Sequence, residues 1–407
     1  MEFCPEIDQR FCDLLAAAKR VCPGFIDLCL WEEYEPHESY EGSSDIYYAA
    51  YNLLSAAQAK NLDPRYIRRI TSFCRWLSIY MGEQYSFNDN MFWSYGLDAA
   101  KGDLAPFTDS ELWAQKAKVE KLASEIGMDN LGRTDLPFED IYRDLEWISI
   151  EDMLDLSKQV HQARLSAVAT ELGSIPSFKY KFEETYKENV AWKCWLNGNG
   201  KDFTHQYNRW KFPYNQTKLP KFIPIISSDH ETTHAIEAAL RRQDIIKGKR
   251  PLSDAWTWST DPYQFSSEAL ALRIGQLCPT EYSIDPAVQF GIELHTLIDM
   301  IQNNVQLAYE AGASYRQVEH FVNSWADGHI YATSSSVRLR QQGNATLRMY
   351  NFLYALGATA FGCVQTRDPE KGAELLSCAF TEPMTAEAFR GRFGDVRHQY
   401  GCDQPEI

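Results

Sequence analysis

The chain has 407 residues, 44% of them hydrophobic, and a net charge of −16. That is enough apolar material for a sizeable core, while the acidic balance disfavours nucleic acid and anionic membranes as general partners, since both need clustered cations. No run of 18 apolar residues occurs, so no membrane-spanning helix is expected, and the acidic start Met1–Glu6 does not read as a secretory signal. Ten scattered cysteines without CxxC spacing read as reduced thiols, which points to a cytoplasmic or organellar setting, a plastid included.

In chain order, most segments carry a helical period. Residues 34–45 form a polar loop in which the glutamates around His37 lack the Glu-x-x-His pairs of a di-iron centre. Ala49, Leu53, Leu54 and Ala57 share one helix face. Asp63-Pro64 starts the next helix, through Ile67, Ile70, Phe73 and Leu77. Beyond it Glu83 and Asp89 are the carboxylates available as oxygen ligands, and 83–138 is long enough for a lid or an extra helical layer. Leu156, Val160, Leu165 and Val168 mark another helix. Ser253, Thr257 and Asp261 are spaced i, i+4, i+8, one face of a helix, where two hydroxyls and a carboxylate would suit Mg²⁺. Residues 286–311 are the clearest helix, from Asp285-Pro286 to Gly312. The segment from Trp325 to Leu339 holds Gly328, a polar run including His329, Tyr331 and Ser335, and Arg338; a charged tail follows from 368. Alternating strand-like runs look rare, and the expected architecture is a single all-α domain over 1–407, monomeric or homodimeric.

Trp325, Gly328 and Arg338, with Ser253-x-x-x-Thr257-x-x-x-Asp261 placed 85 positions before Arg338, resemble the C-terminal landmarks and second metal motif of class I terpene synthases. The resemblance spans roughly 45–345 and implies that family's helical bundle. It implies a helix over Phe178–Tyr186 and diphosphate-sensing cations after Thr204, at Arg209 or Lys211. The family's paired aspartates are missing: Asp89 and Glu83 stand near their place. The function implied is Mg²⁺-dependent ionisation of an allylic prenyl diphosphate, with Arg338, Lys211 and Arg209 on the diphosphate. The polar run at His329, Tyr331 and Ser335 then suits a small acceptor such as the amine of glutamate, by analogy to the kainoid-pathway prenyltransferases. A mono- or sesquiterpene cyclase is the alternative, and a helical binding protein without catalysis a third.

One further motif belongs to a different class. His230-Glu231-Thr232-Thr233-His234 matches HExxH, in which two histidines share a helix face as zinc ligands and the glutamate serves as base. A metalloprotease also needs a third ligand and a sheet edge for its peptide, and the sequence shows neither.

Overall fold

The computed structural model describes residues 3–22, 26–30, 34–128, 145–186, 194–208, 218–326, 345–382 and 384–397. Several helices begin where the sequence supplies a proline or a side-chain cap. Pro5 opens α1 (Pro5–Val21), and α2 covers Ser43–Ala59. The Asp63 side chain accepts from the Arg65 amide ahead of α3 (Pro64–Tyr80), so an otherwise orphaned donor is satisfied. With strand β1 (Ile26–Cys29) these helices form an N-terminal layer around Phe11, Leu53, Ile70 and Phe73.

Within the 83–138 region, the described residues hold two α-helices. Ser86 caps α4 (Phe87–Tyr95), and a reciprocal Thr108–Glu111 capping box starts α5 (Asp109–Glu125). α5 docks through polar contacts: Gln115 Nε2 donates to the Glu293 carbonyl at 2.8 Å, and Lys118 pairs with Glu293 at 2.7 Å.

The middle of the chain departs from the all-α expectation. It runs β2 (Trp147–Ser149), α6 (Ile150–Leu172), β3 (Lys179–Thr185), β4 (Cys194–Gly198), β5 (Asp202–Asn208), β6 (Lys218–Pro220) and α7 (Phe222–Ile246). Strands β3, β5 and β4 form one mixed sheet in that order, β3 parallel and β4 antiparallel to β5. In place of the helix expected over Phe178–Tyr186, residues Lys179–Thr185 are a strand, and Thr204 lies within β5. The reason is alternation. Phe178, Tyr180 and Phe182 interleave with Lys179, Lys181 and Glu183, and Phe203, His205 and Tyr207 are buried on one face.

The segment 252–261 is a second correction. A 3₁₀ turn (Leu252–Ala255) leads into β7 (Trp256–Trp258), which pairs antiparallel with β1. Ser253, Thr257 and Asp261 are not on one helix, and the face that would have gathered them around Mg²⁺ does not form. Trp256 and Trp258 instead bury themselves against the N-terminal layer.

The remaining helices are α8 (Gln264–Leu277), α9 (Pro286–Glu310), α10 (Tyr315–Ala326), α11 (Ala345–Arg367), α12 (Pro369–Thr381) and α13 (Ala386–Phe393). They pack with α4–α7 around Phe265, Leu297, Met300, Leu353 and Phe361. α9 matches the expected 286–311 helix. The tail expected from 368 onward folds into α12 and α13, with Phe389 stacked on Phe361 at 5.5 Å. The chain is thus mostly helical with a small sheet. No helix among the described residues is long and apolar enough to cross a membrane.

Candidate metal centre

α7 carries the HExxH motif. Its polar inner face is fixed before any metal is considered. Arg164 of α6 donates from Nε and Nη2 to the two Asp229 oxygens at 2.7 Å each, one residue before His230. His161 of α6 meets Thr232 Oγ1 at 3.0 Å, and His205 of β5 meets Ser227 Oγ at 3.1 Å. These contacts hold the helix against α6 on one side and the sheet on the other.

His230 and His234 lie one turn apart, and their Nε2 atoms are 3.1 Å from each other. The third member, missing from the sequence motif, is Glu268 of α8. Its Oε2 is 3.5 Å from His230 Nε2, and its Oε1 is 3.6 Å from His234 Nε2. One ligand atom from each residue falls within 4.8 Å of the others, forming a possible metal-ligating group among the described residues. Two ligands about 2.0–2.1 Å from a tetrahedral zinc are roughly 3.3 Å apart; the separations here are 3.1, 3.5 and 3.6 Å, the last two made by different Glu268 oxygens. The donor set fits: imidazole suits zinc, whereas Mg²⁺ prefers oxygen alone.

Outer contacts orient the ligands. His234 Nδ1 lies 3.2 Å from Ser267 Oγ, and Ser267 in turn donates to Glu237 Oε2. With Nδ1 as the donor, the Nε2 lone pair points into the centre. Burial alone would raise the Glu237 carboxyl, but Arg241 and His234 outweigh it and hold it at about 2. Glu268 behaves alike: burial opposes its charge, and His234 and His230 bring it well below the usual carboxylate range. Without a metal, the attraction of Glu268 outweighs burial and raises His234 well above its ordinary value, so an incoming metal displaces a proton from Nε2. Glu231 lies buried beside both histidines, and burial raises its carboxyl. On the far side, Tyr350 of α11 donates to Glu268 Oε1, and Tyr354 donates to Tyr350 at 3.4 Å.

The residues of the Mg²⁺ reading are not gathered here. Asp261 is fully buried and pairs with Arg69 at 2.7 Å; Arg69 also pairs with Asp254 at 2.7 Å and donates to the Trp256 carbonyl. Thr257 is a buried strand residue, and the Ser253 amide donates to Asp8 at 3.3 Å. Glu83 is exposed and accepts from Tyr47 and Tyr85, and Asp89 is an exposed first-turn residue of α4 beside its cap Ser86. Arg209, Lys211, His329, Tyr331, Ser335 and Arg338 lie outside the described residues; Trp325, at the end of α10, packs on Trp113 with ring centroids 4.9 Å apart. Sequence reasoning missed Glu268 because it stands 34 positions beyond His234 with no spacing rule to mark it, and only the packing of α8 on α7 brings it back.

No family model matches the chain, and no curated protein matches it. Among solved structures, the chain is similar to one described as "the putative lipoprotein from Colwellia psychrerythraea", with a TM-score of 0.55 and 15% identity. The match covers 76% of this chain and 53% of that one, so this chain matches about half of the other's length. At that identity the likeness concerns the fold alone.

Proposed function

We propose that the protein is a zinc-dependent hydrolase acting on peptide bonds. The observation that carries this reading is the convergence of His230, His234 and Glu268, whose ligand atoms lie within 4.8 Å of one another, with Glu231 of the same HExxH turn beside them. His₂Glu with one open position is a donor set of catalytic rather than structural zinc. When bound, zinc supplies an acidified water and a polarised carbonyl.

The protein residues have distinct tasks. Glu231 accepts a proton from the attacking water and returns it to the leaving amine; a carboxyl raised by burial is suited to both halves of that exchange. Ser267 and Glu237 keep the His234 ring in one tautomer. The peptide reading draws on the sheet. β4 is an end strand of that sheet, and the peptide reading has an extended chain adding beside it as a further strand. The same sheet reaches α7 one turn before His230, through His205 and Ser227.

Prenyl transfer gains no such convergence from the described residues. Its proposed oxygen ligands are divided between exposed positions and a buried pair with Arg69.

The test is direct. Purified protein should hold about one zinc per chain and cleave a mixture of internally quenched peptides. Glu231→Gln should keep the zinc and lose about 10²–10⁴-fold in rate, the range of general acid–base catalysis. A protein that binds no zinc, or a Glu231→Gln variant with full activity, would show the reading to be wrong.

A further inference from the structure

The two oxygens of Glu268 have different surroundings. Oε1 lies 3.6 Å from His234 Nε2 and accepts the Tyr350 hydroxyl. Oε2 is buried and faces His230 Nε2 at 3.5 Å, with no nearer hydrogen-bond partner among the described residues. An acceptor left unsatisfied in the interior costs free energy unless something else uses its lone pairs, and a cation is one such user. The asymmetry is built from outside the metal helices. Tyr350 sits on α11, which approaches α8 so closely that a Cβ at Gly357 would lie 2.7 Å from the Ala269 Cβ, next in sequence to Glu268. The phenol is itself held by Tyr354 at 3.4 Å.

We propose that Tyr350 is a positioning residue that makes Glu268 a one-oxygen ligand, binding through Oε2. This rests on the zinc reading above and deepens it. A carboxylate free to turn can grip a metal with both oxygens and fill the position that water or substrate must take. A hydrogen bond occupying Oε1 removes that second grip and keeps the position open. It also draws electron density from the ligand, which leaves the metal a stronger acid.

The test replaces zinc by cobalt(II) in the full chain, because cobalt's visible absorption is intense in four-coordinate sites and weak when the coordination number rises. The wild-type chain should give the intense spectrum. Tyr350→Phe should give a markedly weaker one, with kcat reduced about 10–100-fold and KM little changed, the scale seen when outer-shell partners are removed. An unchanged spectrum and kcat in Tyr350→Phe overturns the proposal while leaving the zinc site standing. Should the variant not fold, the wild-type spectrum still decides, since weak bands there mean that Glu268 already uses both oxygens. Failure of the wild-type chain to bind cobalt or zinc at all removes both this proposal and the reading beneath it.

Discussion

Arg69 has a buried side chain between two buried carboxylates, Asp254 and Asp261. It also lies over the rings of Trp258 and Tyr263, with centroid distances of 4.9 and 5.2 Å. Removing one member of such a group leaves an uncompensated charge in the interior. Arg69→Met is therefore expected to destabilise the fold by about 3–5 kcal/mol, seen as a lowered denaturation midpoint. Asp261→Ala should do likewise, whereas a carboxylate serving only as a metal ligand at a cavity surface would be lost with little change in stability. Equal midpoints for wild type and Arg69→Met would mean that the network is solvated rather than buried. The same scale shows why this site misled the sequence reading. A serine, a threonine and an aspartate at i, i+4, i+8 look like one helical face, but two tryptophans between them seek the N-terminal core and draw the segment into an extended strand.

At the scale of elements, two interfaces are open to test. The sheet meets α6 and α7 through His161 and His205, and burial pushes these imidazoles down to about 4 and about 3. In the unfolded chain both return to about 6.5. Between those values the unfolded state takes up protons that the folded state does not, so the contribution of these two histidines is full above pH 6.5 and falls as pH is lowered. Each histidine contributes up to about 1.4 kcal/mol per pH unit in that window. Urea unfolding at pH 7 and pH 5 should show the loss, and His205→Gln should flatten it; a slope unchanged by that substitution would mean that His205 titrates normally. The second interface is α8 against α11. Gly357→Val would place carbon 2.7 Å from the Ala269 Cβ and 3.1 Å from its Cα, which is backbone and cannot swing aside. The expected cost is about 1–3 kcal/mol, with weaker zinc binding because Tyr350 is carried away from Glu268. A variant with unaltered melting and zinc affinity would show that the helices separate freely. How much of these elements was legible varies for physical reasons. Capped helices such as α3 and α9 announce themselves through Asp-Pro starts and a 3.6-residue period. β3 also left a clean two-residue alternation from Phe178 to Glu183, a signal overridden by the expected helical bundle. HExxH was visible, because its function requires a local spacing; Glu268 was not, because its position is set by how two helices pack.

Across the molecule, three buried clusters form among the described residues, the smallest of them Ile150, Met153, Tyr207 and Leu219. The largest surrounds α4–α13, and the second gathers α1–α3 with Trp256, Trp258 and Ala235, Ala238 and Ala239 of α7. Every proposed ligand comes from α7 and α8, and none from α1–α3. Yet Arg69 of α3 reaches across 185 positions to Asp254 and 192 to Asp261, clamping the segment that leads directly into α8. Docking of the N-terminal layer and placement of Glu268 are therefore linked equilibria. If docking improves the site, an occupied site must strengthen docking by the same factor. A chelator would then act at a distance, loosening helices that touch no metal, and protease susceptibility of the first eighty residues would become a gauge of whether the centre is filled.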